Sequence, residues 1–133
     1  MSLSTLSLQQ DATGATITGG TAISLTPDCV QVSNGIHVAD MAESNFIIRT
    51  NATFKARNPQ ILADGTYSKA KRSGSIVKPK ILADGSVAFN LVRFEVEAHP
   101  ETTDAELTNL HMLGSQVFSS PDTQAFLKNG SLS

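Results

Sequence analysis

The sequence predicts an α+β fold in which an antiparallel β-meander precedes two C-terminal helices. Up to residue 98, Thr, Val and Ile are frequent in short runs that Gly, Asn and Asp interrupt, as in strands joined by turns. After Pro100 the apolar residues take up helical spacing. A length of 133 residues suits one domain. We therefore expect an N-terminal β-hairpin (1–34), a main sheet (35–98) and two helices (102–130).

The strands are predicted from runs of alternating residues between turn signals. They are expected at about 3–9, 15–26, 35–41, 45–57, 66–80 and 86–98. In the fourth run, Phe46 and Phe54 fall on one side, and Arg49, Lys55 and Arg57 fall on the other. Because side chains of a strand alternate between the two faces of a sheet, one face is expected to be apolar and the other basic.

A nearly repeated octapeptide lies between the later strands. It reads PQILADGT at 59–66 and PKILADGS at 79–86. Asp can hydrogen-bond its own backbone and Gly supplies a positive φ, so both copies are predicted to be short hairpin turns. A small hydrolase that uses Asp64 and Asp84 is the alternative, but it would require a cleft, and no nucleophile–base pair accompanies either carboxylate.

The C-terminal helices are predicted from their end signals. Thr103 and Glu106 fit a capping box, while Ser120, Pro121 and Gly130 fit the start and end of a second helix. Two short helices cover little of a wide sheet, so we expect an obligate dimer in which each chain's helices pack on its partner's sheet. The apolar stripe expected at this dimer interface comprises Leu107, Leu110, Leu113, Val117 and Phe118.

Several classes of function are disfavoured by what the sequence lacks. Cys29 is the only cysteine, and the three histidines are isolated. No spacing typical of a metal site, a phosphate loop or a catalytic triad is present, so we expect no enzyme, no catalytic residue, no metal and no cofactor. The N-terminus does not resemble a signal peptide, and no apolar run is long enough for a membrane span. Neither a membrane nor a small-molecule substrate is expected as a partner.

The distribution of charge favours binding of RNA. Nine of the ten basic residues but only two of the twelve acids lie between 49 and 93, which suggests one basic surface. On a flat sheet, cations would neutralise phosphates, polar groups would contact base edges and an aromatic ring would stack on a base. Tyr67 and Phe89 could equally be ordinary sheet-packing residues. The candidate RNA-binding residues are Arg49, Asn51, Thr53, Lys55, Arg57, Tyr67, Lys69, Lys71, Phe89 and Arg93.

Three stretches resemble the coat proteins of the small single-stranded RNA bacteriophages, the leviviruses. TAISLTP…VSNGIHV, at 21–38, is similar to the family's second strand, its proline turn and the start of its third strand. VAFNLVRFEVEAHPETTDAEL, at 87–107, resembles the last strand and the cap of the first helix, and SSP at 119–121 resembles the break before the second helix. The likeness extends over nearly the whole chain.

This resemblance implies a homodimer whose two sheets join into one, with interlocked helices on the outer face. Dimers of this kind would self-assemble in the cytoplasm of the bacterial host into a T=3 icosahedral virion whose inner face binds the genomic RNA. Some members also repress replicase translation by binding an RNA hairpin; here Leu91 and Arg93 stand where polar or acidic groups are common, which favours general genome binding. A non-capsid dimeric RNA-binding regulator is the alternative. The resemblance also implies contacts between dimers through a loop that contains Pro79, Ile81, Leu82, Asp84 and Gly85.

Overall fold

The computed structural model describes residue 4 and residues 6–12 and 18–132. These residues form two compact units. One is a sheet unit (20–100). The other is a helical unit, which combines the described residues up to 19 with those from 101 onwards.

The sheet unit is a five-stranded antiparallel meander in which each strand pairs with the next in sequence. Its two last strands are long and pair residue by residue from Ala70↔Ala98 to Ile81↔Val87. The predicted α+β meander is confirmed. The strands are β1 (Leu25–Pro27), β2 (Gly35–Asp40), β3 (Asn51–Arg57), β4 (Ala70–Ile81) and β5 (Val87–Ala98).

Two strands begin later than the alternation predicted. Residues Phe46–Ile48 form a 3₁₀ turn instead of the start of a strand, because the Asn45 side chain accepts a hydrogen bond from the Ile47 N–H at 3.1 Å and caps the turn. The strand predicted at 66–80 begins at Ala70, since Tyr67 pairs with Ile61 in a separate small hairpin. Alternation of residue types does not distinguish these local structures from a continuous strand.

The N-terminal β-hairpin prediction is wrong for residues 6–12, which form no strand. Their backbone binds amide side chains of the first helix instead. The Gln9 N–H donates to Gln116 Oε1 at 2.6 Å, Gln116 Nε2 donates to the Gln9 carbonyl at 3.0 Å, and the Asp11 N–H donates to Asn109 Oδ1 at 2.8 Å. Residues 13–17 of the predicted hairpin lie outside the described residues. Of the described residues of the second predicted strand, only Leu25 and Thr26 lie in a strand, which is Leu25–Pro27.

The first helix begins at its predicted capping box and the second ends at the predicted glycine, but the segment that follows Ser120 starts as a 3₁₀ turn. Helix α1 (Asp104–Ser119) has the Thr103–Glu106 capping box, with both reciprocal hydrogen bonds present. Ser120 accepts from the Asp122 N–H and starts a 3₁₀ turn (Pro121–Thr123), which leads directly into α2 (Gln124–Asn129). Gly130 ends α2 with φ 72°. The buried Thr123 hydroxyl donates to the carbonyls of Val117 and Ser120 and so fixes the junction between the helices.

The two copies of the octapeptide form the same turn, as predicted. The Leu62 N–H donates to the Thr66 carbonyl at 2.7 Å, and the Leu82 N–H donates to the Ser86 carbonyl at 2.8 Å. In each turn the glycine has a positive φ, 86° at Gly65 and 87° at Gly85, as a three-residue hairpin loop requires. The second copy joins β4 to β5.

Candidate nucleic-acid interface

One face of the sheet carries most of its hydrogen-bonding side chains. The strand register places His37, Thr53, Ser75 and Arg93 in one cross-strand row, and the neighbouring row contains Lys55, Ser73 and Glu95. An open depression of about 590 Å³ lies over these rows. We call this surface the polar face. It comprises His37, Asn51, Thr53, Lys55, Arg57, Lys71, Ser73, Ser75, Arg93, Glu95 and Glu97.

The expectation of a single basic surface is wrong. Residues next to each other in a strand point to opposite faces, so Arg72, Lys78 and Lys80 lie on the side opposite to Lys55 and Lys71. The Arg72 guanidinium donates to the Arg57 carbonyl at 2.7 Å.

The polar face itself mixes positive and negative charges. Lys71 Nζ lies 2.6 Å from Glu95 Oε1, and Glu97 is paired with Lys71 in the strand register. Among the described residues, three cations of this face have no carboxylate paired with them in the strand register or in direct contact. They are Lys55, Arg93 and, at the end of β3, Arg57. A phosphate would therefore be attracted chiefly to the β3 side of the face and to Arg93.

Arg49 is placed differently from the other candidate residues. It follows the 3₁₀ turn, and its Nε donates to the Glu43 carbonyl at 2.7 Å. Its own carbonyl accepts from Asn51 Nδ2 at 3.3 Å. Arg49 therefore stabilises the loop before β3, outside the rows of the polar face.

The aromatic candidates and Lys69 also lie outside the polar rows. Tyr67 belongs to the small hairpin before β4, is 52% exposed and pairs with Ile61; Lys69 follows it before the strand begins. Phe89 is on the same side of β5 as Arg93 but is paired with Pro79. Towards the β4–β5 turn this side becomes apolar, with Val77, Pro79, Ile81, Val87, Phe89 and Leu91.

A contact between the side chains of Asp28 and His37 was not predicted from the sequence. Nδ1 of His37 lies 2.7 Å from Asp28 Oδ2, and the Val30 N–H donates to Asp28 Oδ1 at 3.2 Å. The hydrogen bond from His37 is the main cause that lowers the pKa of Asp28, and the Val30 N–H adds to it. The chain returns towards β2 through Cys29, which has φ 67°. No sequence spacing signals such a turn.

The opposite face of the sheet is largely apolar. Its centre is Gly74, where an added Cβ would lie 2.3 Å from the Phe94 ring. Without a side chain there, Phe94 extends over β4 and reaches Phe54, with ring centroids 6.0 Å apart. In the single chain these rings are 37% and 41% exposed. We call this surface the apolar face: Ile36, Val38, Ala52, Phe54, Ile76, Val92, Phe94 and Val96.

The helical unit exposes apolar side chains as well. Of the residues predicted at the dimer interface, Leu110 is 47% and Phe118 is 51% exposed, and Leu107, Leu113 and Val117 are half-buried. Among all described residues the only buried apolar ones are Ala39 and Ala52.

The described part of the chain contains no arrangement of side chains that is typical of a catalytic or a metal site. Asp64 and Asp84 lie in separate turns, where each accepts hydrogen bonds from the Thr or Ser two residues later. No group of three or more His, Cys, Asp and Glu side chains that could hold a metal occurs between the residues the structure describes. None of the helices described is both long and apolar enough to cross a membrane.

Solved structures similar to this chain are virus-like particles. That of bacteriophage GQ-907 matches with a TM-score of 0.92 and 35% sequence identity, over 99% of this chain and 100% of that chain. The chain belongs to the levivirus coat proteins. A particle of Beihai levi-like virus 21 shares the fold of this coat protein at 15% identity, with a TM-score of 0.67 over 86% of this chain and 91% of that one.

A third particle, of bacteriophage AVE019, matches at 8% identity with a TM-score of 0.64 over 84% and 86% of the two chains. No protein-family model and no curated protein matches.

The match to the particle of bacteriophage GQ-907 makes the coat protein a bacteriophage capsid protein with a structural role in the virion. The interpretation as a non-capsid regulator is not retained.

Proposed function

We propose that this coat protein forms interlocked homodimers that assemble into an icosahedral shell and hold single-stranded RNA on the polar face. The observation that carries the proposal is the difference between the two faces of one sheet. A polar face with Lys55, Arg57 and Arg93 is suited to phosphate groups. The opposite face exposes aromatic rings that need to be covered.

The apolar face supports the dimer. Both this face and helix α1 expose large apolar side chains in a single chain. Because the buried apolar residues in the described part of the chain are two alanines, this part gains little from a core of its own. In a symmetric dimer, the helices of one copy would cover the apolar face of the other, so that both surfaces lose contact with water together.

The edge of the sheet supports the same arrangement. β5 is the last strand of the sheet order, and it extends over Val87–Ala98 with a neighbouring strand on one side only among those described. A long free edge is a template for another strand. Antiparallel pairing of β5 with its copy across a two-fold axis would join two five-stranded sheets into one.

RNA binding on the polar face is proposed to be general rather than specific for one hairpin. Thr53, Ser73 and Ser75 offer hydroxyl groups to phosphate and sugar. Stacking on an aromatic ring, typical of specific readers of unpaired bases, would depend on Phe89, which lies among apolar residues. Repression of replicase translation is a separable property that would require a preferred hairpin.

Electron microscopy of the protein expressed alone in bacteria, with the ratio of absorbance at 260 and 280 nm, tests the proposal. We expect uniform icosahedral particles, T=3 in size, that contain RNA. Soluble dimers without particles over a range of salt concentrations would contradict the assembly. Particles of normal shape without RNA would contradict the role of the polar face.

A further inference from the structure

The connection between β3 and β4 is longer than the sheet requires. Neighbouring antiparallel strands can be joined by two residues, whereas here residues 58–69 intervene. Within them a second hairpin forms. The Ser68 N–H donates to the Gln60 carbonyl at 2.8 Å, and Ile61 pairs with Tyr67. We call residues 59–68 the side hairpin.

The side hairpin repeats the β4–β5 turn in structure as well as in sequence. Asp64 Oδ1 accepts from the Thr66 N–H at 3.0 Å and from the Thr66 hydroxyl at 2.6 Å. Asp84 accepts the same two bonds from Ser86 at the same distances. Both turns are therefore held rigidly by their own side chains, and a surface carried on such a turn is preorganised for contact.

Each turn presents the same pair of apolar side chains to solvent. Ile61 and Leu62 are 70% and 47% exposed, and Ile81 and Leu82 are 54% and 40% exposed. The fold of the sheet does not need Ile61 and Leu62 in these exposed positions, since their side chains add nothing to a core. Apolar side chains displayed on a rigid turn are typical of a protein contact.

The charge of the side hairpin favours protein over RNA as its partner. Asp64 is the only charged residue between 59 and 68. Hydrogen bonds from Thr66 lower the pKa of Asp64 and keep it ionised. An acidic, apolar tip repels phosphate. In a particle built from coat protein, the neighbouring protein is another copy, which offers exposed Lys78 and Lys80 beside Ile81 and Leu82 at the end of β4.

We infer that the side hairpin is a contact between dimers in the shell, and that its occupant is a second copy of this chain. Ile61 and Leu62 supply the apolar part of the contact and Asp64 supplies charge complementarity to the lysines of the neighbour. The inference rests on the proposed assembly and adds to it a contact surface separate from the 79–86 loop.

The test is the double variant Ile61→Ser/Leu62→Ser, expressed beside the wild-type chain. Both side chains are exposed, and the hydrogen bonds of the turn are made by backbone groups and by Asp64 and Thr66, all of which the variant retains, so the dimer is expected to form normally. Loss of two buried apolar contacts is expected to weaken association between dimers by about tenfold or more per contact, so that dimers accumulate at the expense of particles. Size-exclusion chromatography and electron microscopy measure this ratio, and circular dichroism checks the fold.

Thr66→Ser is the matched control. It changes the same hairpin but retains the hydroxyl that binds Asp64, as Ser86 does in the second turn. Particle yield should equal that of the wild type. If Ile61→Ser/Leu62→Ser also assembles like the wild type, the inference is wrong while the proposed function stands. If the wild-type chain itself forms no particles, the assembly and this contact fail together.

A photo-crosslinking amino acid at position 62 identifies the partner directly. Irradiated particles are expected to give covalent pairs of coat protein, and isolated dimers are expected to give none. Cross-links to RNA would overturn the inference and place the side hairpin on the genome side.

Discussion

The two faces of the sheet are made by the same strands but have opposite relations to water. On the polar face, Thr53, Ser73 and Ser75 are half-buried and the longer charged groups extend past them. On the apolar face, Phe54 and Phe94 remain more than a third exposed in the single chain. The polar face can therefore remain in contact with solvent or a polyanion, whereas the partner in the proposed dimer would cover the apolar side chains of the other face.

The largest effect is expected from removing an aromatic ring on the apolar face. If a partner covers Phe94, then Phe94→Ala removes a buried ring from each half of a symmetric dimer, at about 3–5 kcal/mol per site. The dissociation constant of the dimer should rise by more than about a hundredfold. Sedimentation at decreasing protein concentration measures it.

Phe89→Ala is the control for this experiment, because Phe89 lies on the same strand but on the other side of the sheet. Its effect on the dimer should be small. Equal weakening by both variants would contradict the assignment of the apolar face to the partner.

A moderate effect is expected from adding a side chain at Gly74, where the apolar face is most closely packed. In Gly74→Ala the new methyl group would meet the Phe94 ring and, at 2.9 Å, the Thr53 carbonyl. Because the ring has to move away from Phe54, the variant should lose about 1–3 kcal/mol of unfolding free energy, as overpacked cores do. Thermal denaturation measures the change. Ser75→Ala, which removes one small group from the polar face, should leave Tm within a degree or two, and a larger loss there than in Gly74→Ala would refute the argument.

The polar face can be tested by charge removal with a matched control. Lys55→Ala/Arg57→Ala and Lys78→Ala/Lys80→Ala remove the same charge from opposite faces. For dimers binding a short single-stranded RNA, the slope of log K against log salt should become shallower by about 1.4 in the first variant, since each phosphate contact contributes about 0.7. The second variant should keep the wild-type slope. The reverse result would place the RNA on the apolar face.

Features set by local sequence could be predicted well. The turn of the β4–β5 hairpin lies where it was predicted because Asp84, Gly85 and Ser86 determine it by contacts within a few residues. The capping box of Thr103 and Glu106 is equally local. The antiparallel pairing of β4 with β5 follows from the turn between them, since a short turn joins neighbouring strands.

Features that depend on competing local or distant partners were missed. The Asn45 cap turns the chain at Phe46–Ile48 although the residues alternate as in a strand. The segment around Gln9 bonds to Gln116, more than a hundred residues away. The distribution of the cations over both faces of the sheet could have been predicted from the sequence, because Lys71 and Arg72 are adjacent in a strand and must point to opposite faces. A count of charges along the chain does not show this distribution.

The smallest effect is expected from replacing Asp28, which pairs with His37 at the edge of the polar face and whose ionisation affects stability at acid pH. The folded-state pKa of Asp28 is below its unfolded value, so its stabilising effect is present above the unfolded pKa, near 3.9, and is lost as pH falls through the folded pKa. Asp28→Asn should therefore flatten the fall of Tm between about pH 5 and pH 2.

His37→Ala should flatten the same part of the curve, because it removes the hydrogen bond that is the main cause of the lowered pKa. The double variant Asp28→Asn/His37→Ala should behave like either single variant there, as expected for two residues that act through one contact. Additive effects of the two substitutions would show that Asp28 gains its acid sensitivity elsewhere. In that case the Val30 N–H, its other hydrogen-bond donor, would be the next group to test.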